Sequence, residues 1–118
     1  MPGIRHVEQT LKYRVEPAVV AEALISTLET TGRVDSVQRE TGVITGLMGD
    51  NWLGFIPVWD TPIYIQVAPI ESGTEVTLKL SRTVGLLEDG VVQKRMARFL
   101  GLLAENPQLK GKSAGAGW

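Results

Sequence analysis

Residues 62–83, PIYIQVAPIESGTEVTLKLSRT, decide the fold of this 118-residue chain. Two runs of alternating apolar and polar residues flank the turn Glu71-Ser72-Gly73. The residues on one face of both runs are apolar: Ile63, Ile65, Val67, Val76, Leu78 and Leu80. Such alternation is typical of strands with one buried face, and a short loop containing Gly joins them as a hairpin. The stretch therefore predicts antiparallel strands at 62–70 and 74–83.

The rest of the chain extends this hairpin into the order β-α-β-β-β-β-α. Alternating residues predict a strand over 7–16, and weaker patterns predict strands over 33–40 and 43–48. Apolar residues at helical spacing predict helices over 17–31 and 88–105. The predicted class is α+β, with a curved antiparallel sheet and both helices packed on one of its faces.

Punctuating residues support the predicted helix bounds. Pro17 suits the first turn of a helix, and Gly32 suits the C-terminal cap of the same helix. Asn106-Pro107 ends the second helix. We expect a flexible N-terminus over 1–6, one domain over 7–106, and a flexible tail over 107–118, where Gly, Ala, Ser and Lys predominate.

Composition excludes several classes of function. The net charge near −1 predicts no general affinity for nucleic acid. Without Cys, the chain has no disulfide and no thiolate for catalysis or metal binding, which fits a cytoplasmic location. The N-terminus lacks the apolar core of a signal peptide, and no apolar run is long enough to span a membrane. We expect neither a metal nor another cofactor.

The segment 49–61, GDNWLGFIPVWDT, is the strongest candidate for a binding surface. It interrupts the predicted strands, and part of it, Trp52 to Ile56, could form a short strand of its own. Its large side chains either roof the core or face a partner. In the second case the side chains for contact are Trp52, Leu53, Phe55 and Trp59. This favours a non-enzymatic interaction module that docks a protein, or a second copy of itself, through this segment and a sheet edge.

Two other functions remain open. A carrier could hold a small hydrophobic ligand between the C-terminal helix and the sheet, lined by Tyr64, Met96 and Phe99. The aromatic segment could also touch a membrane surface, which we expect less than docking to a protein. We do not expect an enzyme, because no nucleophile is paired with a base and no cofactor motif is present.

The remaining candidates for chemistry have simpler explanations. The single His6 is expected in a solvated N-terminus. Asp50 and Asp60 flank the aromatic segment and would approach each other if it folds back as a hairpin, but such residues more often start turns. The basic residues of the second helix, Lys94, Arg95 and Arg98, are expected on its solvated face.

Three short motifs resemble those of small bacterial domains of unknown function. They are Gly42-Val43-Ile44-Thr45, Gly73-Thr74-Glu75-Val76-Thr77-Leu78, and the turn Glu88-Asp89-Gly90 before the last helix. The order of elements is also similar to one half of the TATA-binding-protein fold. The resemblance implies a topology and no chemistry. It does not extend to DNA binding, which needs two such halves and a cationic concave face.

Overall fold

The computed structural model describes residues 3–52, 56–84 and 90–112. Its elements follow the predicted order and confirm the α+β class. They are β1 (Gly3–Tyr13), α1 (Pro17–Thr31), β2 (Gly32–Gln38), β3 (Val43–Trp52), β4 (Ile56–Ile70), β5 (Gly73–Val84) and α2 (Val91–Ala104).

The five strands form one antiparallel sheet in the order β1-β5-β4-β3-β2. The predicted hairpin is its centre, with β4 and β5 paired from Ile63↔Leu80 to Ile70↔Gly73. Alternation sends Ile63 and Ile65 into the core, whereas Tyr64 between them is exposed. Each strand thus contributes apolar side chains to one face, which the helices cover.

Both helices pack their predicted apolar stripes on that face. The buried residues of α1 are Val20, Ala23, Leu24, Thr27, Leu28 and Thr31. The two threonines enter the core because each hydroxyl donates to the carbonyl one turn earlier, at 2.8 Å for Thr27 and 3.0 Å for Thr31. In α2, Val92, Met96, Phe99 and Leu103 are at most 3% exposed.

Gly32 is the C-terminal cap of α1, as predicted, and its backbone N–H donates to the Leu28 carbonyl. Its φ is 178°, which is extended backbone, and it is the first residue of β2. Glycine is needed there for space, because a Cβ atom would lie 2.0 Å from the Leu47 carbonyl oxygen on β3. The α1–β2 junction is therefore held against the neighbouring strand.

Both ends of the described part contact the rest of the domain. Residues 3–6 belong to β1 and pair with β5, so the strand begins four residues before the predicted start at residue 7. After α2, Leu109 is only 2% exposed, and the Lys112 carbonyl accepts a hydrogen bond of 2.8 Å from the Arg14 backbone. The segment after α2 therefore packs on the domain up to residue 112, and residues 113–118 lie outside the described part.

The predicted connection at 49–61 is instead the far end of β3 and β4. Residues 49–52 pair with residues 56–59 from Gly49↔Trp59 to Trp52↔Ile56. Among the described residues, β2 pairs with β3 only as far as Met48, and β5 pairs with β4 only from Ile63. Residues 49–52 and 56–61 therefore form a two-stranded extension of the sheet, which we name the β3–β4 arm.

The close approach at Gly32 predicts a stability difference between two glycines. Gly32→Ala should lower the free energy of unfolding by about 1–3 kcal/mol, because the methyl group overlaps the backbone of β3. Gly101→Ala is the matched control: nothing lies within 4 Å of its Cβ position in α2, and alanine should add about 1 kcal/mol. Urea denaturation measures both, and equal stabilities for the two variants would contradict this account.

Candidate functional site

A cleft opens between the N-terminal half of α1 and the turn that joins β2 to β3. We name it the α1 cleft; its volume is about 420 Å³. Its walls are apolar and consist of Pro17, Ala18, Ala21, Val37, Ile44, Val67 and Pro69. Its rim is polar and exposed, and consists of Gln38, Arg39, Glu40 and Thr41. The cleft thus combines an apolar interior with polar groups at its mouth.

The size of the residues along α1 explains where the cleft opens. Leu24 and Leu28 are fully buried and fill the space between the C-terminal half of the helix and the sheet. One and two turns earlier the helix carries Ala21, Ala18 and Pro17, whose short side chains leave space above the sheet. The floor of that space is apolar, with Ile44 at 2% and Val67 at 7% exposed.

Hydrogen bonds fix the turn that forms the rim. Gly42 has a φ of 71°, and its backbone N–H donates to Gln38 at 2.9 Å. The Gly42 carbonyl accepts a 2.7 Å bond from Val67, and the Gln66 side chain donates to the Thr41 carbonyl at 2.7 Å. A Cβ at position 42 would lie 2.1 Å from the Val67 carbonyl oxygen, so only glycine fits. The rim is therefore anchored to β4.

One ion pair joins the rim to α1. The Arg39 guanidinium lies 3.7 Å from the Glu22 carboxylate, and both side chains are more than half exposed. Such an exposed pair contributes between 0 and about 1 kcal/mol. Its position at the mouth means that it can open at little cost in free energy when a molecule enters.

The sequence pattern alone does not predict this cleft. Helical periodicity predicts one packing face on α1 and does not show that the small residues Pro17, Ala18 and Ala21 border a cleft. The available signal was Pro17-Ala18 and Ala21 on the same side as Leu24 and Leu28. The rim could not be placed beside them without knowledge of the sheet order, because Gln38–Thr41 follow in a separate hairpin.

The residues proposed for a pocket under α2 do not come together. Met96 and Phe99 are 3% and 0% exposed and belong to the packed core. Tyr64 lies on the opposite face of the sheet, because it alternates with the buried Ile63 and Ile65. There it lines an open depression with Lys79, whose ammonium group is 6.0 Å from the centre of its ring.

The proposed aromatic surface falls largely outside the described residues. Leu53 and Phe55 lie outside them, and of Trp52 and Trp59 only the backbone is described, in β3 and β4 of the β3–β4 arm. Asp50 pairs with Val58 and not with Asp60. The register shifts between Met48, which pairs with Thr61, and Gly49, which pairs with Trp59, so Asp60 has no partner residue on β3 in this register. The arm brings the two tryptophans onto neighbouring strands.

Two arginines of α2 hold the base of the arm. Arg95 donates to the hydroxyl of Thr61, which is fully buried, and Arg98 donates to the Gly49 carbonyl at 3.4 Å. Lys94 and Arg98 are exposed, as predicted, whereas Arg95 is half-buried. The two arginines connect α2 to both strands at the point where the arm leaves the sheet.

Few of the described titratable groups suit catalysis. Burial raises the pKa of Tyr13 to about 12, so its phenol stays protonated at neutral pH and cannot act as a base. His6 is exposed, opposite Ser81 on β5. Within residues 3–52, 56–84 and 90–112, no group of three or more His, Asp or Glu is arranged to hold a metal ion.

Solved structures with this fold are found at low sequence identity. The protein MLL2253 from Mesorhizobium loti is 11% identical, with a TM-score of 0.60, over 86% of this chain and 95% of that one. Ara h 8.0201 is 13% identical, with a TM-score of 0.59, over 87% and 97%. An AHSA1-like protein from Rhizobium etli is 17% identical, with a TM-score of 0.56, over 91% and 85%.

These similarities establish the fold and leave the function open. No protein-family model matches the sequence, and no sequence of a curated protein matches it significantly. Among the described residues, none of the helices is long and apolar enough to cross a membrane. The resemblance to one half of the TATA-binding-protein fold stays a prediction.

The buried phenol predicts how stability changes at alkaline pH. Between pH 10.0 and about 12 the folded chain keeps a proton on Tyr13 that the unfolded chain has lost, so stability falls as pH rises through this window. Over this pH range, the free energy of unfolding of Tyr13→Phe should fall by less than that of the wild type, and the difference should be on the order of 2 kcal/mol. Urea denaturation of both proteins at pH 9 and above measures the difference, and parallel pH profiles would contradict the raised pKa.

Proposed function

We propose that the chain is a small binding protein that takes up an apolar small molecule in the α1 cleft. The observation that carries the proposal is the cleft itself, with its volume of about 420 Å³ and its walls of aliphatic side chains. Ligand sites in proteins range over roughly 300–1,000 Å³, and most are apolar with a few polar groups that orient the ligand. The α1 cleft meets each of these criteria.

The polar groups of the rim, which include the exposed carboxylate of Glu40, favour a ligand without a negative charge. Gln38 and Thr41 offer an amide and a hydroxyl, and Arg39 is compensated by Glu22 at 3.7 Å. A neutral molecule with one hydrogen-bonding group would bury its apolar part against Ile44 and Val67. The polar group would then stay at the mouth, where it can exchange water for Gln38 or Thr41.

The mode of action that we propose is binding without catalysis. The chain has no Cys and a single His, and this His lies at position 6, outside the cleft. The cleft residues include neither a nucleophile beside a base nor a pair of carboxylates.

A second candidate function is docking of a protein through the β3–β4 arm. The observation that favours it is that residues 49–52 and 56–59 pair only with each other in the part of the chain that the structure describes. A two-stranded ribbon has few neighbouring strands against which its side chains can be buried. This ribbon carries Trp52 and Trp59. Rings that face solvent on such a ribbon would form a contact surface.

Filling the α1 cleft tests the first function. Ala21→Leu extends a wall residue into the cleft, and we expect it to raise the dissociation constant of a neutral fluorescent probe, N-phenylnaphthylamine, at least about tenfold. Fluorescence titration measures the affinity, and circular dichroism checks that each variant is folded.

Ala97→Leu is the matched control, since Ala97 is exposed on α2. The affinity of this variant should equal that of the wild type. The proposal fails if the wild type does not bind the probe, or if the two leucine variants lose affinity equally.

Tryptophan quenching tests the second function. In a Trp118→Phe background, acrylamide should quench the emission of Trp52 and Trp59 almost as strongly as that of free tryptophan, because a contact surface must be exposed before its partner binds. Trp52→Phe and Trp59→Phe assign the signal to each ring. Quenching at the level of a buried tryptophan for both rings would remove the arm as a docking surface.

A further inference from the structure

Among the described residues, β1 is a long and regular edge of the sheet. It pairs with β5 over its full length, from Gly3↔Val84 to Tyr13↔Thr74, with no register shift. It is the last strand of the sheet on its side. The opposite edge, β2, has 7 residues and a register shift between Val34 and Ser36. Short length and bulges are common devices against edge-to-edge association, and β1 has neither.

The outward residues of β1 form a pattern that is complementary to itself. Glu8, Thr10 and Lys12 share the open face of the sheet and are exposed. Reversal of the strand about Thr10 exchanges the acid with the base. A second β1 in antiparallel orientation would therefore present Lys12 opposite Glu8, Thr10 opposite Thr10, and Glu8 opposite Lys12.

We propose that two copies of the chain pair through β1, antiparallel and with the twofold axis at Thr10. This joins the two five-stranded sheets into one continuous sheet. The contact is independent of ligand binding in the α1 cleft, which is lined by residues of α1, β2, β3 and β4 and by the turn between β2 and β3. It uses the free backbone groups of β1 and the side-chain rows on both of its faces.

The rows already present within one copy continue across this axis. Lys79 is paired with Glu8, and Glu75 is paired with Lys12. The row across the interface then runs Lys79, Glu8, Lys12 of the second copy and Glu75 of the second copy, with alternating sign throughout. The central row is threonine, since Thr77 is paired with Thr10. Opposite charges and Thr–Thr pairs are favourable cross-strand neighbours.

The helix-covered face gains contacts in the same register. Val7 and Leu11 are half-buried against the core, and Tyr13 is buried. In the dimer Val7 meets Tyr13 of the second copy, and Leu11 meets Gln9. The half-buried aliphatic side chains at the edge of each sheet would thereby become covered.

Other registers are less favourable. If the twofold axis moves to a neighbouring residue of β1, every side chain still stays on its own face of the sheet, so each such axis defines an alternative register. An axis at Glu8 places two carboxylates opposite each other, and an axis at Gln9 leaves Glu8 opposite Thr10. An axis at Leu11 pairs Glu8 with Arg14, whose backbone N–H is already bonded to the Lys112 carbonyl at 2.8 Å. Thr10 is the axis that pairs both charges within the free part of the strand.

Charge reversal on β1 tests the proposal by sedimentation equilibrium. The wild type should be a dimer in the micromolar range at low salt. Glu8→Lys and Lys12→Glu each create two like-charge contacts across the axis and should weaken the dimer at least about tenfold. The double variant restores opposite signs at the interface and should return the dissociation constant to that of the wild type within about threefold.

The double variant is diagnostic because its cross-strand charge pairs within each copy become repulsive. It places like charges opposite both Lys79 and Glu75, so only pairing across the axis can restore the dimer. Glu71→Lys changes the net charge by the same amount as Glu8→Lys, but at an exposed turn; it is the control for that variant and should leave the dimer unchanged. A monomeric wild type, a double variant as weak as the single variants, or an equal effect of Glu71→Lys would each overturn the proposal.

Hydrogen exchange gives a second readout on the unmodified protein. Backbone amides of residues 8–12 that point away from β5 should exchange more slowly as the protein concentration rises, because they become bonded to the second copy. Rates that do not depend on concentration would contradict the dimer even if every variant failed to fold.

Discussion

The connection between β1 and β2 is the constraint on which the rest of the structure depends. The two strands are neighbours along the chain but occupy opposite edges of the sheet, so α1 must cross the whole face. Five strands at about 4.8 Å spacing place the edges roughly 19 Å apart. A helix of 15 residues at about 1.5 Å per residue spans roughly 22 Å. The helix therefore fits the width of the sheet, and its buried stripe contacts strands that are remote in sequence.

The α1 cleft is a consequence of that crossing. Because α1 must start near Pro17 and end at the close approach of Gly32 to β3, its position over the sheet is fixed at both ends. The leucines of its C-terminal half fill the space above the sheet, whereas the short side chains of Ala18 and Ala21 leave part of it open. A rim held by Gly42 and Gln66 then closes one side of the space. The α1 cleft thus forms because the N-terminal half of α1 carries small residues and the helix cannot move closer to the sheet.

The sequence predicts those elements whose signals are local. The hairpin around Gly73 and the helix from Pro17 to Thr31 have strong periodicity and clear ends, and the structure confirms both. The length of β3 and β4 was missed because Gly54 and Pro57 resemble a connection. Pro57 is compatible with a strand because it lies in the arm, where β4 pairs with β3 alone among the described residues. Leu109 was missed because a proline that ends a helix does not show whether the following turn packs on the core.

The site is harder to predict than the fold because it joins residues whose proximity no local pattern encodes. Ala21 and Thr41 meet only because the sheet order brings the β2–β3 turn to the start of α1. Conversely, Tyr64 and Phe99 have suitable chemistry for a pocket, but strand alternation and burial place them on opposite sides of the sheet. Residue type suggested candidates, whereas topology decided which of them share a cavity.

The most direct measurement of the central claim is a methyl-resolved NMR titration with a neutral apolar ligand. The methyl resonances of Ala21, Ile44 and Val67 should shift together with one dissociation constant, because these residues line the α1 cleft. Those of Ile63 and Leu80, which are buried elsewhere in the core, should stay unchanged. Shifts confined to the core under α2, or no shift at any of the cleft methyls, would contradict the account.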